Sequence, residues 1–247
     1  MSREGQSEDP RMVIWFDIDN TLYSASTKIS HAMGERIHAY FVSMGLQEEE
    51  ASGLHLKYYI QYGLALRGLM HHHEIDPLEF DRKCDGTLPL EDLIRPDPGL
   101  RKLFEDLDRT KVRVWALTNA YKNHANRVLN ILNIRDQIEG LVFCDYERPN
   151  FTCKPEADFY RNAMMQAGIS DPSKCLFVDD SKQNVISAKE LGWGRCAHFY
   201  EAGLQTMEGG KAKTLGQNGD ATAGTDGIVV INNLEELRFV WPDIFSK

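Results

Sequence analysis

Residues 13–21 read VIWFDIDNT. Val13, Ile14, Trp15 and Phe16 form an apolar run without alternation, and it ends on two aspartates one residue apart, Asp17 and Asp19. A strand with one wet face alternates apolar and polar residues. A run that is apolar throughout is covered on both faces, as strands of a parallel sheet are. Comparable runs recur at 112–117, 141–144, 175–178, 196–200 and 228–231.

Helix-period segments lie between these runs. One opens at Asp97-Pro98, a side-chain cap followed by a first-turn proline, and carries Leu100, Leu103, Phe104 and Leu107. Others carry Ala125, Val128, Leu129 and Leu132; Phe159, Ala163 and Ala167 up to Gly168; and Val185, Ala188 and Leu191 up to Gly192. The alternation of strands and helices predicts an α/β, doubly wound, Rossmann-like parallel sheet.

Each strand leads into polar residues: Asp17, Asp19, Asn20 and Thr21 after the first, Thr118-Asn119 after the second, Asp145 and then Lys154-Pro155 after the third, Asp179-Asp180-Ser181 after the fourth. Open parallel sheets bind ligands beyond the carboxyl ends of their strands. Groups scattered over the chain are therefore expected in one crevice. Crowded carboxylates repel and resist ionisation, and a divalent cation relieves this. An all-oxygen ligand set suits Mg²⁺, while Lys154 and Thr118 add donors for a phosphoryl group. A calcium-binding helix–loop–helix is excluded, because the sixth and twelfth positions from Asp17 hold Leu22 and Lys28, where Gly and Glu are required. Asp145 reads as a turn former.

The chain has 247 residues, 42% apolar and 26% charged, with a formal charge of −9. It is long enough for one large domain or a core with a smaller partner. The acidic balance argues against binding a nucleic-acid backbone. It does not argue against a small phosphorylated substrate. No apolar stretch is long enough to span a bilayer, and the opening MSREGQSEDPR has no apolar signal core. The expected setting is cytoplasmic, with the nucleus left open. Five cysteines without a CxxC pair read as small buried hydrophobes of a reducing compartment. His71-His72-His73 reads as solvated surface, without an acidic or cysteine partner at metal-ligand spacing.

The ordered set DIDNT (17–21), LTN (117–119), CKP (153–155) and FVDDS (177–181) resembles the four motifs of the haloacid dehalogenase-like hydrolase superfamily. The resemblance implies that Asp17 is a nucleophile forming an aspartyl-phosphate, and Asp19 the general acid/base. Thr118 and Asn119 would bind phosphoryl oxygens, and Lys154 would neutralise charge. Mg²⁺ would sit on Asp17, the main-chain carbonyl of Asp19, Asp180 and, directly or one shell out, Asp179. Asp19 favours phosphoester chemistry over dehalogenation, since an alkoxide leaves badly without a proton and halide does not.

Between the first strand and Asp97 the chain shows only helical patterns: a stripe of Ile29, Met33, Ile37, Phe41 and Met44, a second segment from Ala51, Leu54 and Tyr58 through KYYIQYGLALRGLM, and a third around Leu78 and Phe80. The resemblance makes this an inserted α-helical cap, so that 11–22 and 96–247 form the core domain and 23–95 the cap. The stretch 201–226, rich in Gly, Ala and Thr, reads as a disordered or loose insertion. YYIQYGLALRGL, FDIDNTLY and the loop 145–155 are further similar to fungal pyrimidine 5′-nucleotidases. That similarity implies UMP and CMP as substrates, with Tyr58, Tyr62 and Arg67, and with them Tyr59, as candidate substrate contacts. Packing at four-residue spacing is the competing reading of the tyrosines. Arg148 and Phe151 are further candidates in the loop. The alternatives are a phosphatase of another small metabolite (a sugar phosphate, a nicotinamide nucleotide or a lysophosphatidate), a phosphomutase, and an inactive relative that binds a partner. The oligomeric state is not legible in the sequence.

Overall fold

The apolar runs become strands because each is buried from both sides. In the computed structural model, which describes residues 9–216 and 227–246, the elements are β1 (Met12–Phe16), α1 (Ile29–Ser43), α2 (Glu48–Tyr62), α3 (Ala65–His72), α4 (Pro77–Lys83), α5 (Leu90–Leu93), α6 (Pro98–Glu105), β2 (Val112–Leu117), α7 (Lys122–Ile131), β3 (Gly140–Val142), α8 (Ala157–Gln166), β4 (Cys175–Asp179), α9 (Lys182–Glu190), β5 (Arg195–Phe199), β6 (Gln205–Glu208), β7 (Lys211–Thr214), β8 (Ile228–Ile231) and α10 (Leu237–Val240). Six strands make a parallel sheet in the order β3-β2-β1-β4-β5-β8.

Alternate residues of each strand feed two separate cores. Ile14, Phe16, Val114, Ala116 and Val178 pack with Leu103 and Phe104 of α6 and Val128 and Leu129 of α7. Val13, Trp15, Leu117 and Phe177 pack on the other face with Phe159 and Ala163 of α8 and Val185 of α9. Trp193 anchors this second face, stacked on Trp15 with ring centres 5.8 Å apart and edge-on to Tyr160 and Phe177. The chain runs outward from β1 through β2 to β3, then returns to lay β4 on the other side of β1. The order reverses between β1 and β4, which is where a doubly wound sheet opens a crevice.

Helix ends follow the sequence signals. Asp97 caps α6 by accepting from the Gly99 amide, and Ser181 caps α9 through Asn184. Gly168 and Gly192 take left-handed φ beyond α8 and α9. The third apolar run is a shorter strand than 141–144, because after Val142 accepts from the Thr118 amide the chain leaves the sheet. The segment through KYYIQYGLALRGLM is two helices. Gly63, at φ +78°, ends α2 with its amide on the Tyr59 carbonyl, and α3 folds back against α2. At the end of the helical segment Leu88, Leu90 and Ile94 join the α6–α7 core.

The stretch 201–226 needs correction. Residues 205–214 form an antiparallel hairpin, β6–β7, in register from Gln205 against Thr214 to Glu208 against Lys211. It packs on α1 and α2. Met207 touches Gly34, and Gly209 and Gly210 at the turn lie against Leu56, Tyr59 and His55. Residues 217–226 lie outside the described residues.

The α2–α3 pair is set by one close approach. A Cβ on Gly68 would come within 2.2 Å of Tyr58 Cγ. Alanine would gain up to ~1 kcal/mol of helix propensity, but overpacking costs about 1–3 kcal/mol. Gly68→Ala is therefore expected to lower the urea midpoint at unchanged slope. A raised midpoint would show that the Tyr58 ring does not rest on Gly68.

Candidate active site

The tip of the sheet between β1 and β4 is organised by one buried ammonium. Lys154 Nζ donates to Asp17 Oδ1 at 2.6 Å, to the Leu117 carbonyl at 2.8 Å and to Asp179 Oδ2 at 2.6 Å. Its three donors thus reach the ends of β1, β2 and β4. Asn119 fixes the Lys154 backbone in turn, accepting from its amide at 2.8 Å and donating to its carbonyl at 3.0 Å. Thr21 donates its hydroxyl to Asp17 Oδ2 and accepts the Asp180 amide. Asp179, wholly buried, also accepts from the Ser181 amide and from Asn184 Nδ2. Thr118 is buried, with its hydroxyl accepting from the Ala120 amide.

Carboxylate oxygens of Asp17, Asp179 and Asp180 come within 4.8 Å of one another. Burial pushes the Asp17 carboxyl up, Asp179 and Asp19 push the same way, and Lys154 opposes. Burial and the charges of Asp17 and Asp179 drive Asp180 well above its ordinary value. Burial disfavours the Lys154 ammonium, but Asp17 and Asp179 outweigh it and keep the group charged. One ammonium thus stands against several carboxylates, and the surplus negative charge fits a hard divalent cation on an all-oxygen set.

Asp19 faces differently. Its Oδ1 accepts from the Tyr23 hydroxyl at 2.6 Å and pairs with His124 Nε2 at 2.7 Å. Burial raises Asp19, but the His124 charge and the two hydrogen bonds outweigh it, leaving the carboxyl below its ordinary range. Burial disfavours the His124 cation, yet Asp19 and Asp85 lift it to about 9.

Two cavities meet at these groups. One of about 570 Å³ is lined by Asp17, Asp19, Thr118, Asn119, Lys154 and Asp180. A second, of about 270 Å³, extends beneath α1–α3 and the hairpin, with Met33, Ile37, Tyr59, Leu66 and Met207 in its wall. Asp19, Asn119, Tyr59 and Met207 border both.

The family model for haloacid dehalogenase-like hydrolases matches residues 12–192. The chain belongs to this family. Phosphate metabolism protein 8 of Saccharomyces cerevisiae is 40% identical to this hydrolase over 203 residues, covering 78% of the chain and 63% of the relative. The chain thus spans less than two thirds of that relative's length. Among solved structures, CbbY of Rhodobacter sphaeroides in complex with phosphate superposes with a TM-score of 0.60 at 18% identity, covering 92% of this chain and 96% of that one. A HAD phosphatase from Thermococcus onnurineus gives 0.58 at 18% identity, over 93% and 97%. At these identities the structural likeness establishes the shared α/β fold.

All the core candidates of this hydrolase gather at the crevice: Asp17, Asp19, Thr118, Asn119, Lys154, Asp179 and Asp180. Three helical-segment candidates do not. Tyr58 is buried on Phe41 and bonded to His73 Nε2. Tyr62 bonds His72 Nε2. Arg67 donates to the Tyr62 carbonyl, Cys153 Sγ and Glu156, tying α3 to the loop before α8. None of the three lines either cavity; Tyr59, one position along α2, lines both. Arg148 is exposed and paired with Asp145, and Phe151 packs under Tyr146, whose ring lines the smaller cavity. Sequence reading missed Tyr23, His124 and Asp85. Tyr23 stands one turn past Asp19, and His124 follows the LTN motif at the start of a helix. Those positions are the only sequence signal they carry.

Two outcomes follow from this geometry. Arg67→Ala is expected to cost roughly 1–2 kcal/mol of stability, as a half-buried charged hydrogen-bond set does, measured by urea unfolding. The ratio of turnover between any two substrates should stay unchanged. A shifted ratio would return Arg67 to the substrate wall. For the carboxylates, groups raised by folding hold more protons folded than unfolded. Metal-free stability therefore falls as pH rises from about 4 toward the raised values, and a cation on the cluster removes that loss. The Tm gain on adding Mg²⁺ should be larger at about pH 7.5 than at about pH 5, and should shrink in Asp180→Asn. An equal gain at both pH values would place the ion elsewhere.

Proposed function

We propose that the chain is a Mg²⁺-dependent phosphomonoesterase that hydrolyses pyrimidine nucleoside 5′-monophosphates such as UMP and CMP to nucleoside and phosphate. The observation that carries this reading is the Asp17 carboxylate, held by the Lys154 ammonium in the larger cavity, with Asp19 at the border of a second, apolar-walled one. A phosphoryl group fits the first space and an organic leaving group the second.

Asp17 attacks phosphorus and the ester P–O bond breaks. Asp19 protonates the departing alkoxide. Water then attacks the aspartyl-phosphate, giving its proton to Asp19 and releasing phosphate. Lys154 and Thr118 meet the charge on the transferred group. Asp17, Asp180 and the main-chain carbonyl of Asp19 would hold the metal. Asp179, with both oxygens already bonded, orients Lys154. Mg²⁺ bound there supplies positive charge that lets an anionic phosphate approach Asp17.

The helices α1–α4 act as the cap over the crevice, and the hairpin closes its far side. Tyr59 and Tyr146 line the smaller cavity, where aromatic side chains can pack on a flat base, and the cavity's polar groups offer partners for ribose hydroxyls. The 40% identity to a fungal phosphate-metabolism protein and the YYIQYGLALRGL stretch support the nucleotide reading. Five buried, unpaired cysteines fit a reducing cytoplasm.

Phosphate release should be measured over UMP, CMP, AMP, GMP and sugar phosphates, with Mg²⁺ and with chelator. UMP and CMP are expected to exceed AMP and GMP by at least roughly tenfold in kcat/KM. Best turnover on a sugar phosphate would replace the substrate assignment. Asp17→Asn is expected to be inactive on every ester, p-nitrophenyl phosphate included; residual turnover would remove it as nucleophile.

A further inference from the structure

The acid/base carboxylate needs aim as well as a proton. Both donors on Asp19, the Tyr23 hydroxyl and His124 Nε2, fall on Oδ1, and neither reaches Oδ2. Tyr23 comes from the same turn as Asp19. His124 comes from α7, 105 residues further along the chain, and its side chain is only 2% exposed. An ordinary core histidine spends both ring nitrogens on partners. His124 Nδ1 has no hydrogen bond and lies 3.9 Å from Asp85 Oδ1, which is also buried. Asp85 opens the turn after α4. Arg127, one helical turn beyond His124, holds that turn through the Asp85 and Leu88 carbonyls. Asp19, Tyr23, His124 and Asp85 all border the smaller cavity.

We propose that His124, backed by Asp85, is a positioning residue for Asp19: it pins Oδ1 so that Oδ2 alone exchanges the proton with the leaving-group oxygen. This rests on the reading of Asp19 as general acid/base, and the control below separates the two. A merely structural histidine would slow all substrates alike. A residue that aims a general acid matters in proportion to how badly the leaving group needs a proton.

The experiment measures kcat/KM of the Mg²⁺-loaded enzyme for p-nitrophenyl phosphate, phenyl phosphate and UMP in wild type, Asp19→Asn, His124→Ala, His124→Gln and Asp85→Asn. His124→Ala is expected to lose about 10²-fold on UMP and phenyl phosphate, and less than about tenfold on p-nitrophenyl phosphate. His124→Gln keeps an N–H donor without a titrating ring, and should recover at least about tenfold of the UMP loss. Asp85→Asn, which leaves His124 in place, should show a smaller loss with the same dependence on leaving group, and it carries the test if His124→Ala does not fold. A uniform loss across the three esters, no loss, or a glutamine variant no better than alanine would overturn the positioning role. If Asp19→Asn is itself indifferent to the leaving group, the acid/base assignment falls, and this inference with it. If Asp19→Asn is selective while the His124 and Asp85 variants are uniform, only the positioning role falls.

Discussion

The buried Lys154 ammonium is the constraint on which the site depends. It is nearly inaccessible to water, and each of its three protons goes to the end of a different strand. A charge buried in this way is tolerated only where its partners are well placed. The parallel sheet places them. β1, β2 and β4 end side by side because their residues pair in register, Phe16 with Ala116 and with Val178. The carboxylates outnumber the ammonium, so the tip of the sheet keeps a negative surplus. The same feature that fixes Asp17 thus leaves a negative surplus that a cation would offset.

Much of this architecture could be read from the chain because it comes from local patterns. Apolar runs without alternation mark strands covered on both faces, and the polar residues directly after them must lie at one edge of the sheet. Asp17, Thr118 and Asp180 needed nothing further, whereas Lys154 lies a loop beyond the third strand and its role rested on the resemblance of the CKP motif. The helical segment was harder. Tyr58, Tyr59 and Tyr62 sit on one helix, and which of them meets the crevice depends on the rotation of α2 about its axis. The bare α-carbon of Gly68 decides it by seating Tyr58, and Tyr62 follows Tyr58 at one turn's spacing. Tyr59 is then left toward the cavities. That contact lies between two helices, and periodicity within either one does not contain it.

The hairpin shows the converse. Its strands are short, polar and partly exposed, so composition places them with loops. They are ordered by what they touch: the glycines of the turn admit Tyr59 and His55, and Met207 fills the space over Gly34. His124 was missed for a related reason. One histidine near a helix start carries no signal until the fold sets it 2.7 Å from Asp19.

Under the proposed function the two cavities divide the labour, and the phosphoryl side is built from strand ends, which the sheet holds in register. The leaving-group side is built from α1–α3, the β6–β7 hairpin and the turn carrying Asp85, which arrive from three separate parts of the chain. Substitutions at Met33, Ile37 or Leu66 can reshape the second space without moving Lys154 or Asp17, since these residues line that space and not the larger one. Chemistry and choice of substrate are therefore separable everywhere except at the shared border. Asp19 stands on that border, bonded to residues of the leaving-group side and adjoining the phosphoryl side. On the proposed mechanism a change in the bound alcohol would be felt there first, through the proton its oxygen must receive.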